Sequence, residues 1–431
     1  MTLPGVVHRY INLFSENPGL VQICVATLIS MTGQGIIAPV LPLFAKGFGI
    51  SAAAIGLVVG MFGMARLVFN LPAGFLSQRF GQKVMMGAGL MLTAVSMWFM
   101  GTAGGLPGLV FWRFLAGTGS AMSVTGAMSY IAQMSKIENR GRLMSLQQGS
   151  ILIGGDIGPI LGGLLADTLG IRWPFYLAGL LAATAAVWIL LTLPDAADGS
   201  GDEPLSVGVG LSNPRHFRDL QTIKTLLTNP TFVLVGLFTT VVFFTRTGSR
   251  YTLLPLISSA SIGMSATQLG LLIATIATVN LLLVVPAGSL TDRLGRKAVV
   301  LPGAVLSLLG LGMFALGHSV WTFYAGGVIL GIGTGVIGPA PAAYAGDLAP
   351  PGKTGITMAL YRTFGDLGFV VGPILLGLIA DATEGIFESV SGLGVAMLFN
   401  ALLLVLMGSL VVILAVETVG QRGPHPTRRN S

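Results

Sequence analysis

Charge is scarce in this chain: of 431 residues, only 9% are Asp, Glu, Lys or Arg. A water-soluble domain carries roughly 25%, because a folded surface has to be solvated. A large soluble surface is therefore excluded, and most of the exterior must face something apolar. Cysteine is scarcer still. The single Cys24 rules out an intrachain disulfide and any multi-thiolate metal site. The four histidines, His8, His216, His318 and His425, fall in or beside loops and tails, so a metal or acid–base centre among the helices is hard to build. No metal and no cofactor are expected. A membrane-embedded enzyme would show nucleophile, His or metal ligands gathered at one face; lacking them, the chain reads as a non-enzyme. The net charge of +7 comes from too few cations to form the clustered basic face that nucleic acid requires, so no nucleic-acid partner is expected.

What the chain has in abundance is apolar sequence, 53% of its residues. A membrane-spanning helix needs about 20 mostly apolar residues. Twelve such segments follow one another, near 18–42, 52–76, 84–104, 107–134, 143–167, 173–193, 229–256, 266–290, 298–317, 320–347, 354–381 and 390–417. They are continuously apolar, whereas membrane strands alternate with period two over about ten residues, so a barrel is excluded. The first is too long for a signal peptide and lacks a small-residue cleavage site, so it reads as a retained helix. The predicted fold class is an all-α polytopic membrane protein of twelve transmembrane helices.

Orientation follows from Lys and Arg, which favour the cytoplasmic side. Sixteen lie on one side: Arg9, Arg79, Lys83, Lys136, Arg140, Arg142, Arg215, Arg218, Lys224, Arg293, Arg296, Lys297, Lys353, Arg422, Arg428 and Arg429. The other side has Lys46 and Arg172, and five cations, Arg66, Arg113, Arg246, Arg250 and Arg362, fall inside spans. Both termini are thus expected in the cytoplasm, with the protein in the plasma (inner) membrane.

The chain repeats itself at a constant offset. Pro72 and Gly74 match Pro286 and Gly288; Arg79, Gly81 and Lys83 match Arg293, Gly295 and Lys297; Gly158, Pro159, Gly163 and Asp167 match Gly372, Pro373, Gly377 and Asp381. A single offset held over so many segments predicts two pseudo-symmetric six-helix halves, parallel because six is even. They run over residues 1–193 and 229–431, the second ending in a cytoplasmic tail. The linker, 194–228, starts flexible and acidic (PDAADGSGDEP) and continues as RHFRDLQTIKTLL, which suits an amphipathic helix on the inner membrane surface.

These features, together with particular motifs, resemble the major facilitator superfamily over nearly the whole chain. The family signature GxLxDRxGRK between the second and third helices is read twice. GSLTDRLGRK, with Gly288, Asp292, Arg293, Gly295, Arg296 and Lys297, is complete; GFLSQRFGQK, with Gly74, Arg79, Gly81 and Lys83, has Gln78 for Asp and Gln82 for Arg. The resemblance implies a loop that latches the halves in the outward-open state through the Asp, so Gln78 weakens the first latch and leaves Asp292 to hold it. GQGIIAPVLP in the first segment resembles the corresponding motif of twelve-helix drug:proton antiporters. GGDIGPILGG in the fifth, carrying Gly154, Gly158, Pro159, Gly162 and Gly163, fits GxxxGPxxGG, which in this family separates antiporters from symporters. Glycines at every fourth position form a ridge for close helix packing, and Pro159 permits a bend. Packing alone would account for such a ridge. GFVVGPILLG, with Gly372 and Pro373, nearly repeats it.

A charge at membrane depth costs some ~2.5 to 3.5 kcal/mol, so each one is a functional candidate unless it only pairs structurally. Asp156 and Asp366 lie near the midplane, about 14 and 13 residues into their segments at a rise of ~1.5 Å per residue. Each stands two residues before a ridge glycine, hence off the ridge, and both are candidates for proton coupling. Arg362, one turn before Asp366, is placed to pair with it. Arg113 in RFLAGTGSA matches the fourth-helix RxxxGxG motif, whose Arg the resemblance implicates in proton transfer; an interfacial, snorkelling cation is the alternative. Gln34, Arg66, Asn70, Asn280 (the counterpart of Arg66), Arg246 and Tyr361 are further candidates for the substrate cavity, with Arg362. Arg246 and Arg250 share a face of the seventh helix, where Arg250 lies near enough to the outer interface to reach it.

Five intramembrane Arg against two Asp lean toward neutral, zwitterionic or anionic amphiphiles. The expectation is a secondary active transporter, a proton-coupled antiporter exporting small amphiphilic molecules in the multidrug-efflux manner by alternating access. Its partners would be a small-molecule substrate, protons and membrane lipids, and it would act as a monomer. The alternative is a proton symporter or facilitator for a metabolite, or a lipid-linked substrate flippase of the same superfamily.

Overall fold

The structure is a computed structural model that describes residues 18–135, 137–194, 215–351 and 353–418. Of the residues read for orientation and chemistry, His8, Arg9, Lys136, Arg422, His425, Arg428 and Arg429 lie outside these, as do the side chains of Arg140, Arg215, His216 and Arg218 and most of the acidic linker. Among the described residues every regular element is a helix.

The first six spans are Pro18–Lys46, Ala52–Phe80, Gln82–Gly101, Leu106–Met134, Ile137–Thr168 and Trp173–Thr192. Arg215–Thr228 forms a separate short helix before the seventh span. That span runs Pro230–Ile262 and is interrupted by a π-helix over Thr245–Leu253. Ala266–Leu294, Arg296–Leu316, the pair Val320–Ile337 and Pro339–Asp347, Thr354–Thr383 and Gly392–Leu414 complete the set. The tenth span divides at Gly338, where Pro339 removes an amide that the helix would otherwise use. Eleven of the described helices are long and apolar enough to cross a membrane by composition. Leu106–Met134 is equally long, but Arg113 and its Gly, Ser and Thr residues dilute its apolar character. The fifth helix starts earlier than expected, at Ile137, and the seventh ends later, at Ile262, because polar residues at helix ends carry no hydropathy signal.

Two compact units divide the chain. The first comprises Met1–Ile50, Leu57–Leu211 and Ser265–Ala274; the second comprises Ser51–Gly56, Ser212–Met264 and Thr275–Ser431. The second and eighth spans are therefore each shared, with their first residues in one unit and the remainder in the other.

In the first unit Leu20, Ile23, Met86, Leu90, Tyr130, Ile131, Leu143 and Ile189 form a core from five spans. The Tyr130 hydroxyl donates to the Pro194 carbonyl at 3.1 Å, satisfying its polar end. In the second, Val235, Phe238, Val299, Val300, Tyr344, Leu404 and Val411 play the same part. Lipid tails are as apolar as these side chains, so the helices gain from tight packing rather than from leaving water. The third and fourth spans accordingly meet through Gly89 and Gly119, where a methyl group on either would collide with the other's carbonyl oxygen. Gly303 and Gly333, their counterparts in the repeat, make the same contact in the second unit.

Candidate functional site

The fifth span sets the site of the first unit. Methyl groups on Gly154, Gly158 and Gly162 would collide with the first span's Leu28, Thr32 and Ile36 carbonyl oxygens, so the ridge is a contact surface between backbones. All three glycines are buried. Asp156, between them in sequence but off the ridge, is half-buried, and a methyl on the adjacent Gly155 would meet nothing within 4 Å. Gln34 on the first span is half-buried as well.

The second unit repeats the scheme against the seventh span. Gly368 faces the Thr240 carbonyl oxygen, and Gly372 faces the Phe244 backbone. Asp366 is half-buried beside the buried Gly365, while Arg362, one turn earlier, is exposed. Tyr361 is half-buried, with its hydroxyl against Thr239 and near Arg362.

Arg113 places its guanidinium 4.6 Å from the centroid of the Phe62 ring. Its Nε is buried with no hydrogen-bond partner among the described residues. The electron-rich ring face attracts the cation and offsets part of the cost of its burial. Arg66 and Asn70 are half-buried on the second span. Asn280, the counterpart of Arg66, donates to Thr334 Oγ1 at 3.0 Å, and that hydroxyl donates onward to the Leu330 carbonyl at 2.8 Å.

Arg246 and Arg250 differ in exposure. Arg246 is exposed while Arg250 is 9% exposed, and both lie in the π-helix over Thr245–Leu253. The widened turn is held from inside. Asn400, fully buried on the twelfth span, accepts from Thr245 Oγ1 at 3.2 Å and donates to Ser249 Oγ at 2.7 Å. Thr252 Oγ1 donates to the Thr247 carbonyl, across the same turn, at 2.8 Å.

Asn400 is a site residue that the sequence reading leaves out, although a lone Asn inside an apolar span is a readable signal on cost alone. Gln147 is a second. It matches Tyr361 in the repeat, is 1% exposed, and neither end of its amide has a hydrogen-bond partner among the described residues.

The turns that carry the repeated glycine-and-cation signature differ sharply. In the second unit Arg296 bonds Asp292, and its Nε donates to Asp347 Oδ2 at 3.0 Å. Glu417 accepts the backbone amides of Arg296 and Lys297 at 3.0 and 3.1 Å, and Asp347 Oδ2 also accepts from Thr418 Oγ1 at 2.8 Å. Arg293 is exposed and Gly288 half-buried. In the first unit Gln82 Nε2 donates to Gln133 Oε1 at 2.8 Å, Gln78 is exposed, and Arg79 lies over the Phe80 ring. Gly74 and Lys83 are half-buried beside them.

The family model of the Major Facilitator Superfamily matches residues 23–247 and 239–430. The chain belongs to the Major Facilitator Superfamily. An uncharacterized MFS-type transporter of Methanocaldococcus jannaschii is 27% identical over 361 residues, covering 83% of this chain and 90% of the relative. Multidrug resistance protein 2 of Bacillus subtilis is 25% identical, covering 86% and 92%. Among solved structures, a bacterial homolog of the human lysosomal transporter Spinster shares the fold, with a TM-score of 0.75, 16% identity and coverage of 92% and 96%. As a member of this superfamily the protein is a multi-pass membrane transporter of small molecules and not an enzyme. The twelve long helices and the internal repeat are what its fold requires.

Proposed function

We propose that this transporter is a proton-coupled antiporter that exports small amphiphilic molecules by alternating access. The observation that carries the reading is the fifth span. Its GxxxGPxxGG ridge is seated on the first span by glycine contacts along its length, while Asp156 stands off the ridge, half-buried within an apolar span. Its charged form is costly inside an apolar span, so its protonation can compete with substrate, which is what coupling needs. Asp366 stands on the equivalent face of the second half, about one turn away from the position that matches Asp156, and Arg113 supplies a cation that lies over an aromatic ring. Gln34, Arg66, Asn70, Arg246, Asn280, Tyr361 and Arg362 are the proposed substrate contacts. The similarity to multidrug resistance protein 2 supports the efflux reading.

On the count of Lys and Arg, both termini and the glycine-and-cation turns lie in the cytoplasm of a plasma-membrane protein that works as a monomer among lipids. The sequence halves 1–193 and 229–431, joined by the linker 194–228, rock about a midplane site. The surplus of intramembrane Arg over Asp favours neutral, zwitterionic or anionic amphiphiles.

The test is substrate-driven proton flux in proteoliposomes, using one cationic, one zwitterionic and one anionic amphiphilic dye. Wild-type protein should move protons out of an acidic lumen when a dye is added outside, and Asp156→Asn or Asp366→Asn should lose that flux. Undiminished coupled flux in both variants would overturn the assignment of coupling to Asp156 and Asp366, and dye uptake by the wild type without proton release would overturn antiport and leave a facilitator or symporter.

A further inference from the structure

Two carboxylates matched by the repeat, Asp167 and Asp381, have no part in the function above. Each ends a span, the fifth and the eleventh. In the first unit Asp167 accepts the backbone amides of Ala266 and Thr267 at 3.1 and 2.8 Å. In the second unit Asp381 accepts those of Ala52 and Ala53, both at 2.9 Å. Carboxylates and amides alike are related by the offset of the sequence repeat.

The first amides of a helix have no partner within it and carry partial positive charge, so they are bonded from elsewhere. Local residues take the next amide in each case. Ser51 Oγ accepts from Ala54 N and Ser265 Oγ from Gln268 N, both at 3.3 Å. The first two amides of each helix are left, and a carboxylate from the opposite half of the sequence takes both.

The surrounding backbone is built for the same approach. A methyl on Gly163, one turn before Asp167, would collide with the Ala266 carbonyl oxygen, and one on Gly377, one turn before Asp381, with that of Ala52. Contact of this closeness explains why Ser265–Ala274 groups with the first unit and Ser51–Gly56 with the second, while the remainder of each helix groups with the other.

We propose that Asp167 and Asp381 are a duplicated carboxylate latch. Each ties the start of a span from one sequence half to the end of a span from the other, and both must let go when the transporter opens on that face. The inference rests on alternating access but not on proton coupling or substrate.

The test uses spin labels at Leu169 and Leu271, 57% and 42% exposed, in the full chain with Cys24→Ser. Distances are read in lipid nanodiscs without substrate, so a failure of proton coupling does not touch the result. Asp167→Ala and Asp381→Ala should each shift the population toward longer distances by about tenfold, or about 1.4 kcal/mol. Asp167→Asn, which keeps one acceptor but loses the charge, should shift it less. Ala266→Pro leaves both carboxylates intact and removes one donor at the first helical position, where proline is tolerated; it should shift the population in the same direction. If both alanine variants retain the wild-type distribution the latch is wrong, and if they fail to fold, an unshifted Ala266→Pro variant overturns it.

Discussion

The same turn is built twice in this protein from opposite chemistry. At Asp292, Arg296 and Asp347 the second half places a charged triad; at the matching positions of the repeat the first half has Gln78, Gln82 and Gln133. The contact across the turn survives the exchange: Arg296 reaches Asp347 at 3.0 Å, and Gln82 reaches Gln133 at 2.8 Å. What the first half lacks among its described residues is the acid at the position of Asp292 and the Glu417 carboxylate that binds the next helix. The superfamily signature is written in charges, yet here the geometry of one turn is kept by neutral amides. The difference teaches that hydrogen bonding sets the turn, while charge sets how costly it is to break.

The largest effect should come from removing one member of the charged triad. Arg296 and Asp347 have side chains 12% and 14% exposed, so Arg296→Gln leaves a largely buried carboxylate without its cation. A buried pair broken from one side costs about 3–5 kcal/mol; partial exposure and the remaining Thr418 bond bring the expectation to about 2–3 kcal/mol. Thermal unfolding in detergent should show this as a clear loss in Tm. The triple change Asp292→Gln, Arg296→Gln and Asp347→Gln copies the first half and should cost less than Arg296→Gln alone, because no charge is stranded. A triple variant less stable than the single one would mean that the charges themselves, and not their completeness, hold the turn.

Next in size is the glycine that opens the following helix. Gly81 and Gly295 have φ of 86° and 103° with extended ψ, a region essentially closed to residues with a Cβ. Alanine at either should cost about 1–3 kcal/mol from backbone strain. Gly295→Ala should cost more, since its methyl would stand 2.9 Å from Glu417 Oε2 whereas at Gly81 it would meet no atom of the described residues within 4 Å. Equal losses at the two positions would show that Glu417 yields freely and is not part of the turn.

This duplication was legible in sequence because a fixed offset needs no structure to be seen. It aligns the turns, the ridge glycines and the Asp167–Asp381 pair, and continuous apolar runs give twelve spans. Side-chain facing is less legible. A helix that is apolar all round has no period that marks its inner face, so spacing alone does not tell that Arg246 is exposed and Arg250 buried. The π-helix that carries both is bridged by Asn400, far away in the chain on the twelfth span. Gln147 escapes notice because an amide near a helix start reads as surface, and only packing shows it to be buried.

The smallest effect separates the two turns by salt. Asp292 is 69% exposed at its side chain, so its attraction to Arg296 is screened by ions, whereas an amide pair is not. Thermal stability of the wild type should fall by a few tenths of a kcal/mol between low salt and about 1 M, with exposed pairs worth roughly 0–1 kcal/mol. Asp292→Asn should remove most of that dependence, and Gln82→Ala should leave it unchanged while lowering stability by about 0.5–1.5 kcal/mol for the lost bond to Gln133. The outcome to watch is the slope, not the midpoint. If Gln82→Ala changed the salt slope as much as Asp292→Asn, the two turns would be coupled, and the neutral turn would owe part of its stability to charges elsewhere.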